Sequence, residues 1–157
     1  MEDGTAELYR KHAGDLVRLS SMLVGPGDAE DVFTEAVLNA TQSRVWPSLD
    51  EDARGAYLYR TLVNQAHQWS RSASRRRRRE AMWAARTRAQ SDGVPVPAPE
   101  VWEAVASLSA RQRAVVFLTY WEDLDGASIA ERLGISVGTV RRYQVRAREQ
   151  LRRRMND

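Results

Sequence analysis

Residues 126–145 constrain the chain more tightly than any other stretch. Ala130 is followed four positions later by Gly134 and ten positions later by Val140, with Ile129, Leu133 and Ile135 interleaved. Two helices that nearly touch need a small residue at the contact, and a backbone that reverses with positive φ needs glycine. The spacing predicts a helix-turn-helix. Its first helix carries Ala130, the turn falls at Gly134, and the second helix is capped by Ser136 and carries Arg141, Arg142, Arg146 and Arg148. Helical hairpins with a glycine turn also occur as plain structure. An arginine-rich second helix, however, can set cations against phosphates and other side chains against base edges. With Val140, Ala147 and Leu151 inward, the outward set is Gly138, Arg142, Val145 and Arg146, with Thr139 and Arg141 at the exposed flank.

The remainder of the chain is also helical in period, and strand signals are nearly absent. Leu8, Leu16, Leu19 and Leu23 line one helix, which must stop at Gly25-Pro26-Gly27. A second helix follows. Asp28 is placed to cap it, Glu30 and Asp31 suit its positive end, and Val32, Phe33, Ala36, Val37 and Ala40 form its apolar stripe. Beyond Pro47, Ser48 with Glu51 predicts a capping box and a third helix through Trp69. On that helix Leu58, Leu62, Ala66 and Trp69 share one face, and Arg60, Asn64, His67 and Arg71 share another, free for a ligand. The arginine run at 75–79 comes next, then Val94-Pro95-Val96-Pro97-Ala98-Pro99, whose backbone favours the extended polyproline form. Ser109 with Gln112 forms a further capping box ahead of the buried run Val115, Val116 and Leu118. The expected fold is all-α. Two small helical modules, residues 1–89 and 100–157, are joined by a flexible linker at 90–99.

Net charge is +3, but Lys and Arg against Asp and Glu number 6 to 11 over residues 1–70, 8 to 1 over 71–90, 2 to 6 over 91–125 and 8 to 3 over 126–157. Two basic blocks suit two polyanion contacts, and the acidic blocks between them suit other surfaces. The arginine run has a plainer reading as a solvated charge tract, yet nearby Tyr57, Tyr59 and Trp69 fit a basic and aromatic surface for single-stranded DNA. For Trp69 a core role fits better. Cysteine is absent, which excludes disulfides, thiolate zinc sites and thiol nucleophiles. His12 and His67 lack ligand-spaced partners, no glycine-rich phosphate loop is present, and no grouping supports catalysis. No cofactor is expected. No apolar run reaches the roughly 18 residues of a membrane span, and residues 1–10 carry acids rather than a signal pattern. A cytoplasmic protein without membrane insertion is the expectation.

Four segments together carry a family resemblance: Asp28-Ala29-Glu30-Asp31-Val32, Ala56-Tyr57-Leu58-Tyr59-Arg60 with Asn64 and the arginine run, Leu108-Ser109-Ala110-Arg111-Gln112-Arg113-Ala114-Val115, and Gly134-Ile135-Ser136-Val137-Gly138-Thr139-Val140. In this order they resemble the conserved blocks of extracytoplasmic-function RNA polymerase sigma factors, of the actinobacterial sigma-E-like type. The resemblance implies a non-enzymatic initiation factor with two modules. Region 2 would bind the clamp helices of the polymerase beta-prime subunit and melt the minus-10 element. Region 4 would bind the beta-subunit flap and read the minus-35 element. By position it gives Asp28, Glu30, Asp31, Val32 and Glu35 to core-polymerase binding. Arg60, Asn64, His67, Arg71, Arg75 and Arg76 go to minus-10 DNA. Ser136, Gly138, Thr139, Arg141, Arg142, Val145 and Arg146 go to minus-35 DNA. Core RNA polymerase and promoter DNA are the implied partners, with an anti-sigma factor a candidate third. The chain departs from the family pattern at Thr34, Gln68 and Tyr143-Gln144. A conventional helix-turn-helix regulator would leave the acidic N-terminal helix unexplained, and a helical interaction protein would reduce the arginines to solubilising charge.

Overall fold

The computed structural model describes residues 2–70 and 99–156, and every regular element among them is helical. The arginine run and nearly all of the expected linker lie outside the described residues. Helix α1 spans Glu2–Val24 and ends where Gly25 turns with φ 91°, its amide donating to the Ser21 carbonyl. Helix α2, Ala29–Thr41, begins as expected after Asp28, but the Asp28 side chain makes no capping bond. Instead the buried Ser20 hydroxyl donates to the Ala29 carbonyl at 2.7 Å and pins the two helix ends together. A short 3-10 turn at Trp46–Ser48 precedes α3, Glu51–Ser70. The cap of α3 is Asp50, whose carboxylate accepts from the Ala53 amide at 2.8 Å, while the Ser48 hydroxyl donates back to the Val45 carbonyl. Ser48 is therefore not the expected cap, because the 3-10 turn consumes it two residues too early.

Helices α4 (Pro99–Ala106), α5 (Ala110–Tyr120), α6 (Gly126–Leu133) and α7 (Val137–Asn156) complete the described chain. The Ser109/Gln112 capping box is present in both directions, at 3.2 and 3.0 Å. Asp125 caps α6 through the Ser128 amide at 2.7 Å, and this bond holds its carboxyl below the usual carboxylate range. Gly134 closes α6 in the left-handed region, φ 66° and ψ 36°, with the Ile135 amide reaching back to the Ala130 carbonyl.

The three N-terminal helices pack mutually, and α7 collects α4, α5 and α6. Two groups of about 60 residues each would have thin cores alone. They pool them: α1 and α3 pack on α5, and α3 also packs on α6. One continuous apolar cluster joins Leu16, Leu19, Leu58 and Leu62 to Val115, Phe117, Leu118, Ile129 and Val140. Among the described residues the helices form two groups, α1–α3 and α4–α7, on one shared core. The helices themselves supply the contact between the two groups, a contact that the composition of the linker does not reveal.

Candidate nucleic-acid interface

The α7 helix is set by the turn before it. Ala130 is buried, so α6 and α7 approach closely, and the fully buried Val140 and nearly buried Ala147 fix which side of α7 faces the core. The opposite side is exposed and carries Arg141, Arg142, Val145 and Arg146. Ser136 accepts from the Thr139 amide at 3.1 Å and its hydroxyl lies 2.8 Å from that of Thr139, which in turn accepts from Arg142 Nη2 at 3.0 Å. This chain holds the first turn of α7 and one guanidinium in a defined direction. A Cβ at the exposed Gly138 would meet only the Ser136 hydroxyl, at 3.8 Å, so the backbone is open to close approach there. Arg142 and Arg146 stand one turn apart, able to follow a groove. Tyr143 instead packs on the core and Gln144 donates to the Thr119 hydroxyl at 3.3 Å. That departure from the family pattern is thus spent partly inside the fold.

On α3 the expected division of faces is only partly met. Leu58, Leu62 and Ala66 are buried and Trp69 packs against the same cluster, as the period requires. Tyr59 is also core, 1% exposed, and burial pushes its phenol up to about 12 against the opposing pull of the Arg132 guanidinium. His12 meets it edge-on, with ring centroids 6.4 Å apart, and burial holds this imidazole below its ordinary value. Tyr57 is half-buried and donates to the Ser43 hydroxyl at 2.9 Å. Asn64 is exposed and His67 half-buried. Arg60 is not free: it is half-buried, and its Nη2 donates at 2.9 Å to the Glu131 carbonyl in the last turn of α6. Arg71, Arg75 and Arg76 lie outside the described residues.

On α2, Glu30, Asp31 and Glu35 are exposed and Asp28 is half-buried, so the acids form one outward patch. Val32, expected at the partner contact, is fully buried and belongs to the core stripe. A 3.6-residue period that puts Phe33, Ala36 and Ala40 inside takes Val32 with them. An apolar residue that does reach the exposed side of α2 is Leu38, 51% exposed, which sequence reasoning missed because a lone exposed leucine one turn after Glu35 carries no periodic signal. Glu35 accepts from Gln65 at 2.7 Å, and Asn39 donates to the other end of that amide at 3.1 Å, tying the patch to α3.

Among the described residues no cluster of His, Cys, Asp or Glu is arranged to hold a metal, and no helix is long and apolar enough to cross a membrane. Comparison with known proteins matches residues 99–151 to the family described as Sigma-70, region 4. The RNA polymerase sigma-E factor of Streptomyces antibioticus is 30% identical, the match covering 93% of this chain and 81% of that protein. The ECF RNA polymerase sigma factor SigL of Mycobacterium tuberculosis is 36% identical over 89% of this chain and 84% of its own length.

Proposed function

Because the chain belongs to the extracytoplasmic-function family of RNA polymerase sigma factors, we propose a division of labour in which each exposed face found above serves one partner of the initiation complex. The protein binds core RNA polymerase and directs promoter-specific initiation at minus-10 and minus-35 elements. Residues 1–89 act as region 2, 90–99 as the linker and 100–157 as region 4. The acidic patch of Asp28, Glu30, Asp31 and Glu35, with Leu38 at its C-terminal edge, docks on the beta-prime clamp helices, and region 4 meets the beta flap. The chain works in the cytoplasm and supplies recognition without bond-making chemistry. An anti-sigma factor, where one exists, would compete for these faces.

The observation that carries the minus-35 assignment is the ordered exposed side of α7. Ser136, Thr139 and Arg142 form one hydrogen-bonded chain beside Gly138, Arg141, Val145 and Arg146. Gly138 and Val145 offer no side-chain hydrogen bonds, so discrimination must come from the polar members, and Arg142 is the best-directed of them. Arg60, Asn64 and His67 of α3 take the minus-10 DNA, and Arg71, Arg75 and Arg76, which follow in the sequence, are assigned to the same strand. The test is run-off transcription by holoenzyme reconstituted with Arg142→Ala or Arg146→Ala across single-base substitutions of the minus-35 element. A base-reading arginine loses about 1–3 kcal/mol on the correct promoter and relaxes preference at one position, whereas a phosphate contact weakens all promoters alike. Uniform loss for both variants would overturn the assignment of base reading to this pair.

A further inference from the structure

Helix α7 runs for 20 residues, about 30 Å, and carries seven arginines but a single acid, Glu149. Nine residues separate Glu149 from the fully buried Val140, about two and a half turns, so the acid stands on the side of the helix opposite the core. Gly138, Arg142 and Val145 share that side, and Glu149 therefore prolongs the face assigned to the minus-35 duplex. The arginines flank it in two rows. Arg141, Arg148 and Arg152 fall along one edge of the face and Arg142, Arg146 and Arg153 along the other, with Glu149 between them. The plain reading of such an acid is an ion pair along the helix with Arg146 or Arg153. Among the described residues Glu149 enters no ion pair. The second half of α7 is braced from behind: Ala147 packs with Leu108 and Val116, and the Gln150 amide donates to the Ser107 carbonyl at 2.9 Å. Both halves of the helix thus approach DNA as one body.

We propose that Glu149 is a positioning residue that holds the second half of α7 off the duplex, so that the helix enters the major groove end-on and only its first half touches DNA. The inference rests on the assignment of α7 to the minus-35 element. A major groove is about 8.5 Å deep and about 12 Å wide, with phosphates along both walls. Glu149 lies 12 residues beyond Val137, about 18 Å along the axis, so in an end-on approach its carboxylate clears the groove. Laid lengthwise, the same helix would set its two arginine rows against the two walls and drive Glu149 between them. That second pose is the one a helix of seven arginines favours on any sequence, because phosphate contacts carry no sequence information. Charge repulsion reaches about 10 Å at moderate salt, more than the roughly 6 Å from the middle of the groove to either wall. The carboxylate therefore penalises the lengthwise pose and leaves the reading pose nearly untouched. Specificity then comes from a penalty on the wrong pose as well as from contacts in the right one.

The test compares holoenzymes reconstituted with wild type, Glu149→Gln or Glu149→Arg. Binding is followed by anisotropy on promoter duplexes carrying either the intact or a scrambled minus-35 element, from about 50 to about 200 mM salt. Glu149→Gln should bind the scrambled duplex about three- to tenfold tighter, while binding to the intact one changes by less than about twofold, so discrimination falls. The log–log salt slope on the scrambled duplex should steepen by about 1–2, since each added phosphate contact contributes about 0.9. Glu149→Arg should exaggerate both changes, and melting followed by circular dichroism shows whether either substitution acts through the fold. Unchanged discrimination and salt slope in both variants overturn the proposal. Equal tightening on the two duplexes overturns it as well, because the acid would then merely dilute the positive charge. Loss of binding confined to one base pair of the intact element does the same, since Glu149 would then accept from a cytosine amine. A lower Tm with discrimination unchanged assigns the acid to helix stability and removes the positioning role. If Arg142→Ala and Arg146→Ala keep the wild-type preference for the intact duplex, the minus-35 assignment on which the inference stands fails instead.

Discussion

Ile129 offers the sharpest test of the shared core, because it is fully buried on α6 within a cluster that also contains Leu62 of α3 and Val140 of α7. Ile129→Ala removes three carbons from a site enclosed on every side, and such a deletion costs about 2–5 kcal/mol where the surroundings collapse only partly. For a chain of this size each kcal/mol lowers Tm by roughly 2–4 °C, so the melt should fall by about 5–15 °C. The position of the transition matters less than its form. If α1–α3 and α4–α7 rest on one core, far-ultraviolet circular dichroism should show a single cooperative transition. Amide exchange should then accelerate in α1 and α3 as well as in the helix-turn-helix. Leu62→Ala, made from the other side, should reproduce the same shared loss. Two separated transitions, with Ile129→Ala moving only one and Leu62→Ala only the other, would refute the reasoning and leave two independent modules in light contact.

The remaining expectations concern the surface. Reversing Asp31 and Glu35 to Lys should abolish capture of core polymerase while circular dichroism stays unchanged, since both are exposed and surface changes cost little stability; unchanged affinity in a pull-down would remove α2 from the clamp contact. Asp125 has a carboxyl held below its unfolded value by the Ser128 amide, so its contribution is present above the unfolded pKa and is lost as pH falls through the folded one. Melts of wild type and Asp125→Asn should therefore differ near neutrality and converge in acid below the ordinary carboxylate range, and a gap that persists there would assign the effect to something other than ionisation.

Legibility in the sequence followed how local each interaction is. The helix-turn-helix could be read because its demands are steric and closely spaced: Gly134 turns with φ 66°, Ala130 lies where α6 meets α7, and Val140 is sealed beneath. The Ser109/Gln112 box was equally plain, since both partners sit three residues apart and bond reciprocally. Ser48 with Glu51 has the same spacing and failed. Nothing in the spacing says that residues 46–48 wind into a 3-10 turn and that Asp50 takes the cap. Val32 carries two readings, the helical period placing it in the apolar stripe and the family resemblance giving it to the polymerase contact, and the fold buries it with Phe33 and Ala36. Arg60 shows the deepest limit. Its acceptor is a main-chain carbonyl 71 residues away, and its guanidinium covers Gly134, which has no side chain. Neither leaves a compositional mark, so the arginine reads as free in the sequence and is engaged in the fold.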